Sequence, residues 1–301
     1  MLAPAGRGLI VDCTVGTGGH TAALLEAGAT QVLGLDRDSE VLPLARKRLA
    51  AWGGRVELVH ADYRSLDDVL ERLGIHRIDG ALADLGHSSV QLESEGRGFS
   101  FRRTAPLDMR MDRTQGQTLR QMLSDVTPES LADVIFKYGE ERHSRRIARA
   151  VVEACRNASV TTTTELAAIV RRAVHRRGRT RIDPATRTFQ ALRIWVNQEL
   201  DGLDLFLRSA ACRLKGGAKL AVISFHSLED RIVKTFLHQR ADNSAGVSRH
   251  LPRKPAVVPS FRLIKRGLAV LHGAVLLLYP LQFLQLLNKV DKHLIQLLDQ
   301  L

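Results

Sequence analysis

The first 84 residues of this 301-residue chain alternate between two patterns of apolar and polar positions. Short apolar runs end on an acidic residue or a histidine, and each is followed by a stretch with helical spacing. Strands that alternate with helices are typical of a parallel sheet with right-handed crossovers. The predicted strands are 8–12, 31–36, 56–60 and 78–83, and the predicted helices between them are 21–26, 39–51 and 66–73.

The pattern changes at Ser94, and up to about Ala211 it is mostly helical. After Gly216 and Gly217 a strand is predicted over 218–224. We therefore expect an α/β fold with a Rossmann-like, mostly parallel sheet and an inserted helical domain. The insertion would leave from the carboxyl end of the fourth strand, where ligands of open α/β sheets bind. The predicted parts are the sheet domain, 1–93 and 212–266, the helical substrate-binding domain, 94–211, and an apolar, amphipathic C-terminal segment, 267–301.

The C-terminal segment repeats apolar residues at heptad spacing from Phe283 to Leu301. We expect an amphipathic helix that packs on its own domain, with a homodimer or a partner helix as alternatives. Polar residues and a proline interrupt the apolar stretch 268–287, so no stable membrane span is expected, although a role at a membrane surface stays open. Residues 1–8 lack the pattern of a signal peptide, which favours the cytoplasm, with the mitochondrial matrix as an alternative.

Composition and charge narrow the class of partner. Hydrophobic residues make up 45% of the chain and charged residues 25%, which is ordinary for a folded globular protein. The formal net charge of +12 favours an acidic partner, with nucleic acid first and an anionic membrane second. Three distant cysteines argue against a disulfide scaffold, and no metal site is predicted because no ligand spacing supports one.

A glycine-rich loop from Asp12 to His20 joins the first predicted strand to the first helix. Glycine lets the backbone approach a bound nucleotide closely, but the loop lacks the last glycine of G-x-G-x-x-G. A carboxylate at Asp12 would repel a pyrophosphate, whereas it suits the ammonium and sulfonium of S-adenosylmethionine. Asp36 ends the second strand, where an acid accepts hydrogen bonds from ribose hydroxyls of this cofactor or of NAD. A structural turn and an exposed strand-end acid are the alternatives.

Polar residues also follow the third and fourth strands. Tyr63 either stacks on an adenine ring or packs as an ordinary tyrosine. Methylation of an exocyclic amine needs an acceptor that holds the N–H group and stabilises the developing positive charge. Asp84 is the candidate for this catalytic role, with a strand-end cap as the alternative. Ser88, Ser89 and Gln91 offer further polar contacts to a substrate.

Arginines concentrate in two runs of the predicted insertion, 140–149 and 171–181, and the second run holds six arginines in 11 residues. Arginine pairs with phosphate through two hydrogen bonds and stacks on unpaired bases. Arg176, Arg177 and Arg179 are therefore expected to contact RNA. A solvated helix face is the alternative.

Long motifs occur in one order between residues 8 and 240. They are Asp12 to His20, Leu35 to Asp38, Asp84 to Ser89, Arg97 to Phe101, Pro106 to Asp112, Tyr138 to Arg142, Pro184 to Arg193 and Ile223 to Arg231. In this order they resemble the RsmH (MraW) family of 16S ribosomal RNA cytosine-N4 methyltransferases. His87 and Val90 stand where the family commonly has Val and Pro.

The resemblance implies a class I S-adenosylmethionine-dependent methyltransferase with an inserted helical domain. Its substrate would be a cytidine in the decoding region of 16S-type RNA of the small ribosomal subunit, or of the mitochondrial counterpart. The target base would leave its stack for an in-line displacement. The family's cofactor contacts fall on Gly18, Gly19, His20, Asp36, Tyr63, Asp84 and Gln91.

Two other functions remain for comparison. Family members usually begin with a His-x-Pro-Val segment and end with a basic tail, whereas this chain starts after the first and carries 268–301 in place of the second. These departures favour a non-catalytic RNA-binding or ribosome-assembly factor. A DNA amino-methyltransferase would usually carry two prolines after the acidic residue of strand four, and the Asp84 motif has none.

Overall fold

The computed structural model describes residues 8–157, 160–174, 183–240, 270–271 and 274–276. They form two compact units. The sheet unit contains the described residues up to Gly86 and from Asp201 onward, and the helical unit runs from His87 to Leu200. The predicted domain limits, after residues 93 and 211, stay a prediction.

The sheet unit confirms the predicted α/β alternation. Five strands, β1 to β5, are parallel in the order β3-β2-β1-β4-β5, and the short β7 and β6 follow β5 in antiparallel pairing. The elements are β1 Leu9–Asp12, α1 Gly19–Glu26, β2 Gln31–Asp36, α2 Leu42–Leu49, β3 Val56–His60, α3 Leu66–Arg72, β4 Ile78–Asp84, α10 Leu203–Arg213, β5 Leu214–Ser224, α11 Ser227–Arg240, β6 Val270–Leu271 and β7 Ala274–Leu276.

Helices cover both faces of this sheet, which explains the continuous apolar runs of its central strands. Successive residues of β1 illustrate the arrangement. Ile10 packs in a cluster with residues of α1 and α2, whereas Val11 packs with residues of α3, α10 and α11. Because both faces are buried, β1 tolerates polar side chains only where it ends.

The strand order reverses at β1, which pairs with β2 on one side and β4 on the other. Ligands of open α/β sheets bind outside the carboxyl ends of strands at such a switch point. Asp12, Asp36 and Asp84 are the last residues of β1, β2 and β4. The topology therefore places three carboxyl groups at one edge of the sheet.

The helical unit has its own core. Apolar residues of its helices pack around fully buried Leu131, Ile147 and Val170. Its helices are α4 Ser89–Glu93, α5 Leu119–Asp125, α6 Pro128–Gly139, α7 Ser144–Arg156, α8 Thr163–Val174 and α9 Ala185–Asn197.

The predicted helical pattern is wrong for residues 94–118, which contain no helix. Side chains satisfy the backbone there in place of a helical ladder, since Asp108 accepts from the Arg110 N–H and Asp112 accepts from the Thr114 N–H. Met109 takes a positive φ of 60°. Such local bonds favour turns over helix, and the apolar spacing alone did not reveal them.

No helix among the described residues has the length and apolar character needed to cross a lipid bilayer. The heptad segment 283–301 lies outside the described residues, and so do Arg176, Arg177 and Arg179. Self-association through that segment and the RNA contacts of these arginines therefore stay predictions.

Candidate cofactor and methyl-transfer site

The loop after β1 is held against the end of β2 by its backbone. The Val15 N–H donates to the Leu35 carbonyl oxygen at 2.8 Å, and the Gly16 N–H donates to Asp36 Oδ2 at 2.7 Å. Gly16 has a φ of +51°, and a Cβ built on it would meet no atom within 4 Å. The loop thus presents bare backbone beside open space, as a bound nucleoside requires.

Gly18 and Gly19 lie where this loop becomes α1. Gly18 is the N-cap residue, with a φ of +85°, and a Cβ there would lie 2.9 Å from Leu49 Cδ1. Glycine is needed at this position because both the backbone conformation and the space oppose a side chain. Among the described residues, no side chain caps the first turn of α1, where backbone N–H groups have no partner within the helix.

Asp12 is buried beneath the loop, whereas its sequence position indicated a side chain open at the loop entrance. Its side chain is fully buried, with Oδ2 accepting from the Thr21 hydroxyl at 2.7 Å and Oδ1 from the Thr14 N–H at 3.3 Å. Burial raises the pKa of this carboxyl, and the neighbouring His20 and the Thr21 hydroxyl oppose the rise. Asp12 therefore orders the loop from beneath, and its suitability for a cationic ligand stays a prediction.

Asp36 has two backbone partners. Its Oδ2 accepts from the Gly16 N–H, and its Oδ1 accepts from the Asp38 N–H at 2.8 Å. Burial raises the pKa of Asp36 to about 6, against the opposing effect of these two N–H groups. Each carboxylate oxygen can accept a second hydrogen bond. Asp36 thus fixes the loop while it keeps acceptor capacity for ribose hydroxyls.

Asp84 pairs with His20, a contact that sequence reasoning missed. His20 Nε2 lies 3.1 Å from Asp84 Oδ2, and the Asp84 N–H donates to Thr14 Oγ1 at 2.7 Å. The other carboxylate oxygen, Oδ1, is buried and has no hydrogen-bond partner in the described part of the chain. No local sequence signal marks this contact, because it depends on the β1–β4 pairing, which places the first loop beside the end of β4.

An unpaired buried carboxylate oxygen costs roughly 1–3 kcal/mol or more, and such a cost is expected where a ligand supplies the missing donor. The open loop backbone, the uncapped α1 and Asp84 Oδ1 therefore fit a nucleoside-bearing ligand. Together with Asp36, they combine a neutral backbone cradle with two carboxylates.

Tyr63 follows β3, and its ring packs edge to face on Phe206 with 5.0 Å between centroids. This contact fits the packed-tyrosine alternative, and stacking on adenine stays a prediction. The preceding Asp62 accepts two hydrogen bonds from Arg64, from Nε at 2.9 Å and from Nη2 at 2.7 Å. This ion pair fixes the turn that carries Tyr63.

Ser88 and Gln91 belong to the helical unit and cap α4. Ser88 Oγ accepts from the Gln91 N–H at 3.2 Å, and Gln91 Oε1 accepts from the Ser88 N–H at 2.9 Å. The sequence signal for this capping box was the Ser-x-x-Gln spacing. Their substrate and cofactor roles stay predictions, and the side chain of Ser89 lies outside the described atoms.

A profile described as the MraW methylase family matches residues 1–270 of the chain. The chain belongs to the MraW methylase family. Its relatives include "Ribosomal RNA small subunit methyltransferase H" of Sorangium cellulosum, 50% identical over 238 residues, which are 79% of this chain and 76% of that protein. The protein of the same name from Methylobacterium nodulans is 45% identical over 264 residues, 87% of this chain and 78% of that protein.

Among solved structures, an S-adenosylmethionine-dependent methyltransferase from Mesorhizobium loti matches with 29% identity and a TM-score of 0.24. The match covers 30% of this chain and 40% of that one.

As a member of the MraW methylase family, the chain is a class I methyltransferase, and its cofactor is S-adenosylmethionine. The fit of the loop, Asp36 and Asp84 agrees with that donor, because it carries two positive charges and no phosphate. The Gly16–His20 backbone and Asp36 are the groups of the sheet unit that would hold it.

Proposed function

We propose that the chain methylates N4 of a cytidine in the decoding region of 16S-type RNA of the small ribosomal subunit. The observation that carries the proposal is Asp84 at the end of β4, with Oδ2 paired to His20 and Oδ1 without a hydrogen-bond partner among the described residues. The names of the two relatives supply the substrate class, since both are ribosomal RNA small subunit methyltransferases.

The chemistry requires a group that accepts a hydrogen bond from the amine more than it requires a strong base. When bound, the cofactor supplies a methyl carbon whose bond to sulfur breaks with its electron pair going to sulfur, as the amine lone pair forms the new N–C bond. One N–H proton of the methylated amine then passes to solvent water. Asp84 Oδ1 accepts the hydrogen bond from that N–H group, aims the lone pair and stabilises the developing positive charge.

The helical unit supports RNA contact through α7. Its inner face is apolar and buried at Ile147 and Val151, whereas Arg145, Arg146 and Arg149 are exposed. Exposed arginines on one helix suit phosphate groups, which carry most of the salt-dependent affinity for nucleic acid. Arg176, Arg177 and Arg179 lie outside the described residues, and their contacts with RNA are proposed from the sequence alone.

The decisive experiment is methylation of small ribosomal subunits that lack the modification, followed by mass spectrometry of the nucleosides. We expect N4-methylcytidine at one position and none without S-adenosylmethionine. Methylation of another atom would disprove the N4 assignment. Cofactor binding in calorimetry with no methylated product would favour the ribosome-assembly alternative.

The RNA surface is tested by changing Arg145, Arg146 and Arg149 to Gln together. The slope of log affinity for single-stranded RNA against log salt concentration should become shallower by about 2, since each phosphate contact contributes roughly 0.7. The control changes three exposed arginines of the sheet unit, Arg46, Arg72 and Arg208, and should leave the slope unchanged. Equal slopes in both triple variants would assign the α7 arginines to a solvated face.

A further inference from the structure

Two side chains of the described residues hold Asp84, one at its backbone N–H group and the other at its carboxylate. Thr14 Oγ1 accepts from the Asp84 backbone N–H, which fixes the end of β4 but leaves the carboxylate free to rotate. His20 Nε2 contacts Oδ2 at 3.1 Å and is the side-chain restraint on that rotation. The position of His20 is itself fixed, because it lies in the first turn of α1, directly after the glycines of the loop.

We propose that His20 is a positioning residue for Asp84, donating from Nε2 to Oδ2 so that Oδ1 is the oxygen left to accept the amine N–H. The inference rests on the proposed function and deepens it. It gives His20 a role in the methyl-transfer step, whereas the family resemblance implies only a contact with the cofactor.

The geometry has a simple physical consequence. The two oxygens of a carboxylate are equivalent until one is engaged, and rotation about the terminal torsion exchanges them. A hydrogen bond from His20 removes that exchange before the substrate arrives. Preorganised acceptors contribute to rate because they need no reorganisation in the transition state. Donation requires a proton on Nε2, and either the Nε2–H tautomer or the imidazolium provides it.

Two amide variants of the full chain separate positioning from cofactor binding. The amide nitrogen of Gln reaches about as far as the imidazole Nε2, whereas that of Asn corresponds to Nδ1. His20→Gln should therefore keep the hydrogen bond to Asp84, and His20→Asn should lose it. Both variants are polar and uncharged, and His20 is partly exposed, so both are expected to fold. The matched control is His76→Asn, a change at an exposed histidine before β4.

The measurements are kcat at saturating S-adenosylmethionine and RNA, and the dissociation constant for S-adenosylmethionine from calorimetry. His20→Asn should lower kcat by roughly 10- to 100-fold, and His20→Gln should stay within about threefold of the wild type. The dissociation constant should change by less than about threefold in both, because the lost contact is to Asp84. His76→Asn should change neither quantity.

A third measurement does not depend on activity. In urea unfolding, His20→Asn should destabilise the wild-type chain more than it destabilises the Asp84→Asn variant, since the partner is already altered there. Equal effects in the two backgrounds would overturn the pairing. Equal kcat for His20→Asn and His20→Gln, or a loss confined to cofactor affinity, would overturn the positioning role. A wild-type chain that binds S-adenosylmethionine but methylates no cytidine would overturn the proposed function, and this inference with it.

Discussion

The sheet unit and the helical unit build polar structure in different ways. At the carboxyl edge of the sheet, strand topology alone brings together Asp12, Asp36 and Asp84, and main-chain N–H groups of the loop supply partners to Asp12 and Asp36. In the helical unit, irregular backbone is held by buried side chains from distant positions. Asn197 accepts from the Met111 N–H at 2.7 Å and donates to the Met109 carbonyl oxygen at 2.8 Å.

The two units therefore differ in the property that a polar substitution changes. A strand-end carboxylate can be changed without altering the strand, so its loss should affect ligand binding or chemistry first. A buried side chain that holds an irregular segment cannot be changed without releasing that segment. The sheet unit should therefore respond to polar substitutions in activity, and the helical unit in stability.

The largest expected effect is on chemistry. Asp84→Ala removes the amine acceptor and should lower methyl transfer on the order of 10³-fold, while S-adenosylmethionine binding is partly retained. Activity on small ribosomal subunits and calorimetry measure the two quantities. The control is Asp79→Ala, which removes a carboxylate near the opposite end of β4, where it pairs with Lys215. Full turnover by Asp84→Ala would remove this residue from the mechanism.

The next effect is on the stability of the helical unit. Asn197→Ala strips a partner from the Met111 N–H group and from the Met109 carbonyl, next to the positive φ of Met109. Unsatisfied buried backbone groups should lower the free energy of unfolding by about 2–4 kcal/mol. Urea unfolding measures this. Asn157→Ala, at the exposed end of α7, should cost less than about 1 kcal/mol, and equal losses would contradict the contrast between the units.

The raised pKa of Asp36 predicts that the stability of the sheet unit depends on pH. An unfolded aspartate ionises at about pH 3.9, whereas burial raises the pKa of Asp36 to about 6. The folded chain therefore binds more protons between these values, and the free energy of unfolding should fall as pH rises through them, by at most about 3 kcal/mol.

Asp36→Asn should flatten this fall and weaken cofactor binding about tenfold, because an amide accepts through one oxygen only. Hydrogen exchange of peptides from β2, corrected for intrinsic exchange rates, measures the stability of the sheet unit separately from that of the helical unit. A slope identical to that of the wild type would show that Asp36 ionises as it does in the unfolded chain.

The smallest expected effect near neutral pH concerns His87, which the family resemblance places where Val is common. His87 Nδ1 lies 2.5 Å from Arg193 Nη1, and Arg193 also pairs with Glu199. Burial and the Arg193 charge lower the pKa of His87 to about 3, from about 6.5 in an unfolded chain. Here the unfolded state binds more protons, so the free energy of unfolding should rise as the pH increases between these values. This slope is opposite in sign to the slope from Asp36.

His87→Val should remove that rise and cost about 1 kcal/mol near pH 7 through the lost hydrogen bond. Hydrogen exchange of peptides from α9 measures both changes in stability in the helical unit. An unchanged pH slope in α9 would mean that His87 does not hold the Arg193 guanidinium.

The sequence predicted the sheet unit well because both of its signals are local. Apolar runs mark strands buried on both faces, and the acids at their ends mark the edge where the chain leaves the sheet. The same patterns wrongly predicted helix over residues 94–118, where Asp108 and Asp112 accept hydrogen bonds from nearby backbone N–H groups in turns. Apolar spacing measures burial, and it does not report which polar group satisfies the backbone.

The residue pattern predicted the α/β fold, the glycine loop and the carboxylates that end β2 and β4, and the motifs predicted the family. The role of each carboxylate depends on the assembled fold. Asp12 and Asp36 have the same residue type and the same position at a strand end, yet one is buried beneath the loop and the other holds Gly16. The pairing of His20 with Asp84, 64 residues apart, follows from strand pairing that no local pattern encodes. Hydrogen bonds depend on distance and direction in space, and both are set only when the strands assemble.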